Sequence, residues 1–159
     1  MDPAIKKKVL RLFTYGLYAV TARHGDEQSA MTANWLGQVS FEPPMVALAV
    51  ENDSHSHQVI SASQAFAINV FESGQREQAG SLGRTFAKHP DKVTGAASQP
   101  GPTTGSPVLD LALGWVECRV TGSLPAGDHT LFVAEVVEAG LNREGTPLTL
   151  QETGFKYFG

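Results

Sequence analysis

The sequence predicts a mainly β protein, a closed or half-closed antiparallel barrel with helical excursions. Three observations lead there. Short runs rich in aromatic and β-branched residues alternate with turn residues, and only two or three stretches carry helical spacing. The first and last strand pairs are joined by hairpin-length connections, which a parallel doubly wound sheet cannot use.

The elements follow in chain order. Asp2-Pro3 supplies an N-cap and a first-turn proline, and Ile5, Val9, Leu12 and Phe13 recur at helical spacing opposite Lys6, Lys7, Lys8 and Arg11, so the chain opens on an amphipathic helix. Residues 15–21 and 29–35 read as strands of a hairpin around His24-Gly25-Asp26. Pro43-Pro44 stops pairing, and the continuously apolar run 45–50 predicts a strand buried on both faces at the centre of a sheet. Ser54 caps a short helix to about residue 63, and 65–71 is strand-like. A longer helix is expected over 75–87, irregular or tightly packed at Gly80 and Gly83. Residues 89–107, full of Pro, Gly, Ser and Thr, read as one long loop. Residues 115–121 alternate as a strand, Ala126-Gly127-Asp128 turns the chain, and 129–137 returns. The aromatic end, through Phe155, Tyr157 and Phe158, predicts an extended tail that packs on a neighbour.

Composition narrows the function. A chain of 159 residues is the size of one domain spanning 1–159, and its 42% apolar and 18% charged content is globular. A net charge of -4 disfavours nucleic acid and anionic lipid as partners. The lysine run is not read as a signal peptide, because Arg11 interrupts the apolar stretch behind it, and the longest clean apolar run is far short of the roughly 20 residues of a membrane span. Cys118 stands alone, so neither an intrachain disulfide nor a cysteine-rich metal site is available, and a reducing cytoplasm fits.

There is no Walker loop, no Gly-x-Gly-x-x-Gly after a strand, no His-Glu-x-x-His and no Cys-x-x-Cys. His55-Ser56-His57 lacks a third ligand nearby, so no metal is expected. Asp128 and His129, as neighbours on a regular strand, would point to opposite faces and not share a proton. The informative residues are polar and sit at strand ends: Thr32 and Asn34, then Asn52-Asp53-Ser54. They suit a ligand with a polar ring edge and a phosphate, the latter at the helix opened by Ser54. Asn34, Asp53 and Ser54 also suit capping and turning the chain, the plainer reading of the residues alone, and both readings stay open.

Met31-Thr32-Ala33-Asn34, followed by Val39-Ser40-Phe41-Glu42-Pro43-Pro44 and an apolar strand, resembles the flavin reductase family with its FMN-binding split barrel. Three further segments agree in order: Asp53-Ser54-His55-Ser56-His57 with Ile60, Phe66-Ala67-Ile68-Asn69-Val70, and Glu117-Cys118 with Gly127-Asp128-His129-Thr130-Leu131-Phe132. The resemblance implies a split, Greek-key-like β-barrel with a few peripheral helices and a homodimer that binds FMN, or alternatively FAD. It implies transfer of hydride from NAD(P)H to that flavin, with a redox protein or monooxygenase as a partner. A non-enzymatic flavin electron carrier that exchanges electrons with a protein partner is the alternative. Position by position, Thr32, Ala33, Asn34 and Trp35 would lie along the isoalloxazine edge. Glu51, Asn52, Asp53 and Ser54 would border the ring and ribityl chain, with Ser54, His57 and Arg84 near the phosphate. His129 would stand near the nicotinamide or the flavin's reactive face as the catalytic position. Two features depart from the family: Trp35 stands where a small residue is common, and the Thr14-Tyr15-Gly16-Leu17-Tyr18 segment is bulky, which is expected to narrow the pocket.

Overall fold

The computed structural model describes residues 1–157, so the expected tail is followed to Tyr157, and Phe158 lies outside the described residues. The fold is mainly antiparallel β. A helix α1 (Pro3–Leu10) precedes a hairpin of β1 (Tyr18–His24) and β2 (Glu27–Ala33), then a second hairpin of β3 (Leu36–Ser40) and β4 (Met45–Glu51). Helix α2 (His55–Ser63) leads to β5 (Ala65–Val70), and α3 (Arg76–Leu82) follows. A short ribbon of β6 (Ser98–Pro100) and β7 (Pro107–Leu109) precedes the long hairpin β8 (Gly114–Ala126) and β9 (His129–Leu141), and one turn of helix, α4 (Leu150–Thr153), ends the regular structure.

Seven strands form one sheet in the order β2-β1-β5-β8-β9-β4-β3. Its two edges, β2 and β3, are consecutive in the chain and joined only by Asn34 and Trp35. Three Cα steps of about 3.8 Å hold those edge ends within roughly 11 Å. The sheet must therefore curl until its edges nearly meet, without closing the hydrogen-bond ladder between them, which is a barrel split at one seam.

Every strand of this sheet sends apolar side chains into the barrel. Val20, Leu48, Val50, Phe66, Ile68, Cys118, Phe132 and Ala134 are buried there, and α2 caps the core with Val59 and Ile60. Burial pushes the Cys118 thiol up to about 12, helped by the Glu117 carboxylate, so it is an inert core residue near neutral pH. A second cluster lies outside the barrel. Ala19 and Ala30 on β1 and β2 meet Phe71, Ala79, Leu82, Leu109, Leu148 and Leu150 from α3, α4 and the segments around them.

The two-layer packing corrects several expectations. β4 is not the doubly buried centre of the sheet: it lies next to an edge, and its burial alternates, with Val46, Leu48 and Val50 inside and Met45, Ala47 and Ala49 half exposed. The doubly covered strands are β1 and β5, the latter buried at five of its six positions. The expected helix over 75–87 is cut to α3, which ends at its cap Gly83. Close packing bears on both glycines: a Cβ on Gly80 would come within 3.3 Å of the Phe155 ring, and one on Gly83 within 3.3 Å of the Ala79 carbonyl oxygen. The expected loop 89–107 contains the β6 strand, and Glu117, wholly buried, staples it to the barrel by accepting from the Thr103 and Thr104 N–H groups and the Thr104 hydroxyl. The tail is not wholly extended, since α4 interrupts it with Thr149 as cap. α1 forms as expected, capped by Asp2, yet none of its residues is buried.

Candidate functional site

The seam between the two hairpins opens into a cleft of about 810 Å³, within the range that holds a cofactor-sized ligand (roughly 300–1,000 Å³). One wall is built by the end of β2 and the link to β3, bringing Thr32, Ala33, Asn34 and Trp35 to the surface of the cleft. The facing wall is the end of β4 and the start of α2, with Val50, Glu51, Asp53, Ser54, His55 and Ser56. α3 and the segment after it add Gly80, Gly83, Arg84, Phe86 and Lys92, and the tail adds Phe155, Lys156 and Tyr157.

Each wall is held from behind. The Thr32 hydroxyl donates to the Ala79 carbonyl at 2.6 Å, tying β2 to α3. The Trp35 carbonyl accepts from the Ala49 N–H at 3.0 Å, so the link between the edges is pinned to β4. Asn34, buried, donates from Nδ2 to the Tyr157 carbonyl at 3.2 Å and holds the tail against the seam. Ser54 caps α2 as expected: its Oγ accepts from the His57 N–H at 3.1 Å and donates to the Glu51 carbonyl at 2.8 Å. The first turn of α2 lacks intrahelical partners for its leading N–H groups, and its residues His55 and Ser56 lie on the cleft, an arrangement that favours an anion. His55 is itself stacked on Phe86, with ring centroids 3.7 Å apart.

Thr32, Ala33, Asn34, Trp35, Glu51, Asp53, Ser54 and Arg84 thus come together around one cleft. Asn52, His57 and His129 do not line it; they stand behind it. The His57 Nε2 pairs with the Thr130 hydroxyl at 2.9 Å, and that hydroxyl donates to Asn52 Oδ1 at 2.8 Å. Asn52 Nδ2 donates to the Gly127 carbonyl at 3.2 Å, closing a polar brace between the β4–α2 turn and the β8–β9 hairpin.

His129 is buried beneath Trp35, with ring centroids 4.8 Å apart. Contrary to expectation, it bonds its neighbour: Nδ1 lies 2.6 Å from Asp128 Oδ1. The alternation argument fails because Asp128 belongs to the hairpin turn behind Gly127 (φ 69°) and β9 begins only at His129. On its other side, His129 Nε2 lies 3.2 Å from the Tyr157 hydroxyl, which donates to Glu51 Oε1 at 3.0 Å. The Tyr157 hydroxyl hydrogen points at Glu51, so the phenol oxygen can only accept from His129, and the Asp128 carboxylate likewise only accepts. All three bonds therefore form together only when both imidazole nitrogens carry protons. The hydrogen bond and charge of His129 hold the Asp128 carboxyl below its usual range, while burial and the Glu51 carboxylate push the Tyr157 phenol upward, so Tyr157 stays a neutral donor.

Tyr15 and Tyr18 were expected to crowd the cleft, but they pack against the two cores, and only Leu17 of that segment reaches it. Trp35 and Tyr157, with ring centroids 5.4 Å apart, crowd it instead. Tyr157, Phe86 and Lys92 were not foreseen as cleft residues, since nothing local in the chain brings them to β2 and β4. Among the described residues, no three His, Cys, Asp or Glu side chains gather as a metal-binding group, and no helix is long and apolar enough to cross a membrane.

A split antiparallel barrel with a polar-rimmed cleft at its seam defines a class of ligand-holding β proteins, and comparison with known proteins gives the class its family. The flavin reductase like domain matches residues 10–159, and the chain belongs to that family. It is 33% identical over 150 residues to the reductase component of 4-hydroxyphenylacetate 3-monooxygenase from Thermus thermophilus, covering 94% of this chain and 93% of that protein. Against the solved structure of an NADH:FAD oxidoreductase from Streptomyces globisporus, the TM-score is 0.83 at 30% identity, covering all of this chain and 96% of the other. A diflavin flavoprotein of Synechocystis is 31% identical over 140 residues, 86% of this chain; the chain spans only about a quarter of the length of the diflavin flavoproteins it matches.

Proposed function

We propose that this chain is an oxidoreductase whose single domain holds FMN, or FAD, in the seam cleft and mediates hydride transfer from NADH or NADPH. The observation that carries this reading is the meeting of the 32–35 and 51–56 segments across one cleft. The donor set fits a flavin: a small apolar floor at Ala33 and Ala49, amide and hydroxyl groups at one rim, and the opening turn of α2 with Arg84 and Lys92 where a phosphate would lie. A bound flavin supplies the two-electron chemistry itself.

The chain's own residues work by placement. The backbone and side chains of 32–35 orient a polar ring edge, and donors fixed in advance favour negative charge that develops there. Ser54 fixes the α2 terminus and, with Arg84, anchors the phosphate end. Asn52 and His57 act at one remove, bracing the 51–54 turn through Thr130. His129 bears on Trp35 from below and, through the Tyr157 hydroxyl, fixes the width of the entrance, so it acts here as a positioning residue. A nicotinamide has to stack within about 3–3.5 Å of the reacting atom for transfer, and the gap between Trp35 and Tyr157 sets whether it enters.

That crowding also favours a second reading, an electron carrier that trades electrons with a protein partner and excludes nicotinamide. Anaerobic addition of NADH, then NADPH, to flavin-loaded protein separates the two. Loss of the yellow absorbance within seconds is expected; persistence with both nucleotides, but loss with a reduced redox protein, would establish the carrier.

In the reductase reading the monooxygenase or another redox protein receives the electrons, and the protein works in a reducing cytoplasm as a homodimer. The dimer is supported by apolar side chains left in solvent, Ile5, Val9, Leu12 and Phe13 at the start, Val39, Leu124 and Leu141 on the sheet, and Phe41 in the turn after β3.

A further inference from the structure

Tyr157 is held by both walls of the cleft at once. Its backbone carbonyl accepts from Asn34 Nδ2, on the link between β2 and β3, at 3.2 Å, and its hydroxyl donates to Glu51 Oε1, at the end of β4, at 3.0 Å. The same hydroxyl lies 3.2 Å from His129 Nε2, and the phenol ring stands 5.4 Å from the Trp35 ring, tilted by 55°. One residue of the tail therefore spans the mouth of the seam.

The tail is firmly anchored only behind this residue. The Arg76 Nε donates to the Thr153 carbonyl at 2.8 Å, the Arg76 guanidinium lies 5.0 Å over the Phe155 ring, and Phe155 packs against the second apolar cluster. Residues 155–157 belong to no helix or strand, and Tyr157 is 44% exposed. Its grip on the two walls is polar and within reach of water, which can replace each of those bonds when the residue leaves. An apolar anchor at Phe155 and exchangeable hydrogen bonds at Tyr157 make a segment that releases at its far end while its near end stays docked.

The position of Tyr157 decides what the cleft admits. A planar ring stacked between two others needs about 3.5 Å on each side, roughly 7 Å in all, whereas the Trp35 and Tyr157 centroids are 5.4 Å apart and the rings are not parallel. No further ring enters between them while the tail is in place. We propose that Tyr157 is an internal plug: in the ligand-free chain its phenol occupies the seat beside Trp35 that a nicotinamide would take, and residues 156–157 swing away from the Phe155 anchor to admit the nucleotide. Crowding at Trp35 is then a state of the tail and not a fixed wall, and closure lowers the apparent affinity for the nucleotide in proportion to the fraction of molecules that are open. The proposal rests on the reductase reading and adds an autoinhibitory contact to it.

The test uses FMN-loaded protein and two nucleotides with no hydride to give, tetrahydro-NAD and tetrahydro-NADP. Tyr157→Ala is expected to bind the preferred analogue about tenfold more tightly than the wild type, and Tyr157→Phe, which keeps the ring but loses the bonds to Glu51 and His129, to gain by a smaller factor. In wild-type protein labelled with fluorotyrosine, the Tyr157 fluorine resonance, identified by its loss in Tyr157→Phe, should move toward that of a solvent-exposed tyrosine as the analogue saturates. Unchanged or weaker binding in Tyr157→Ala, or a Tyr157 resonance that keeps its place with the analogue bound, would overturn the plug and leave the reductase reading standing. Binding of neither analogue to the wild type or to Tyr157→Ala would overturn both, while flavin binding, read separately by quenching of FMN fluorescence, would stand. Absence of that quenching would bring down the flavin reading and the plug with it.

Discussion

The two halves of the seven-stranded sheet share one interior core but differ on their outer faces. Over β2, β1 and β5 the outside is covered by α3, α4 and the segment around β7, and Ala19, Ala30, Phe71, Leu82, Leu109 and Leu148 are sealed there. Over β3, β4 and the far end of β8 the outer face is less covered by the described residues: Leu124 is 61% exposed and Leu141 73% exposed, and Met45, Ala47 and Ala49 are only partly buried, whereas the near end of β8 is covered at Glu117 by residues 103–104. The cleft opens where these halves meet. One of its walls is therefore backed by a second packed layer, and the other only by the barrel and the Asn52–Thr130–His57 brace. The two walls of the cleft therefore differ in rigidity.

The comparison breaks most visibly at Phe71, fully buried in the outer layer of the covered half. Phe71→Ala should destabilise the protein by about 3–5 kcal/mol in urea unfolding, whereas Leu124→Ser on the bare half should shift the stability of the isolated monomer, at protein concentrations too low for a dimer, by no more than about 0.5 kcal/mol. A large, protein-concentration-dependent effect at Leu124 would show that the bare face is buried by a second copy.

The seal itself can be tested at Asn69. Its Nδ2 donates to the Ala19 carbonyl and the Thr21 hydroxyl, and its Oδ1 accepts from the Leu109 N–H at 2.8 Å, so one side chain joins β1, β5 and β7. Asn69→Ala strands buried polar groups and should cost about 1–3 kcal/mol, with amide exchange accelerating over residues 107–113 before the barrel strands. Uniform acceleration across the sheet would mean that the two layers unfold as one unit.

The smallest effect is expected in the bare half, at Asp128. Its folded pKa is depressed by His129, so its contribution is present above the unfolded value, about pH 4. It is lost as the pH falls through the folded value. The urea midpoint of the wild type should slightly exceed that of Asp128→Asn at roughly pH 6, and the margin should shrink as the pH falls below the unfolded value and vanish below the folded one. A margin that survives acidification would show that the pair does not act through charge.

Local sequence carried the fold class and most elements. Asp2 and Ser54 cap their helices as their residue types dictate, and Gly127 turns the last hairpin because a positive φ costs it nothing. Part of the cleft was legible too, because Thr32 to Trp35 and Glu51, Asp53 and Ser54 lie at ends of strands that periodicity and turn residues mark. The reading failed where a neighbour decides. The apolar run 45–50 is compatible with burial on both faces, and only the strand order puts β4 beside an edge. Asp128 and His129 meet because the turn, not strand alternation, sets their directions.

The sequence by itself therefore determined that the chain is mainly β, where its strands and caps fall, and which polar residues gather at strand ends, since each depends on contacts within a few residues. Only the tertiary structure decided that the sheet curls to a seam and that its covered half is β2-β1-β5. It alone decided that Tyr157, Phe86 and Lys92 join the cleft, and that His129 sits under Trp35 between Asp128 and Tyr157. Those placements join residues as many as 123 positions apart, as in the Asn34–Tyr157 bond. No local propensity encodes such distances; they are fixed by the burial of two apolar layers at once.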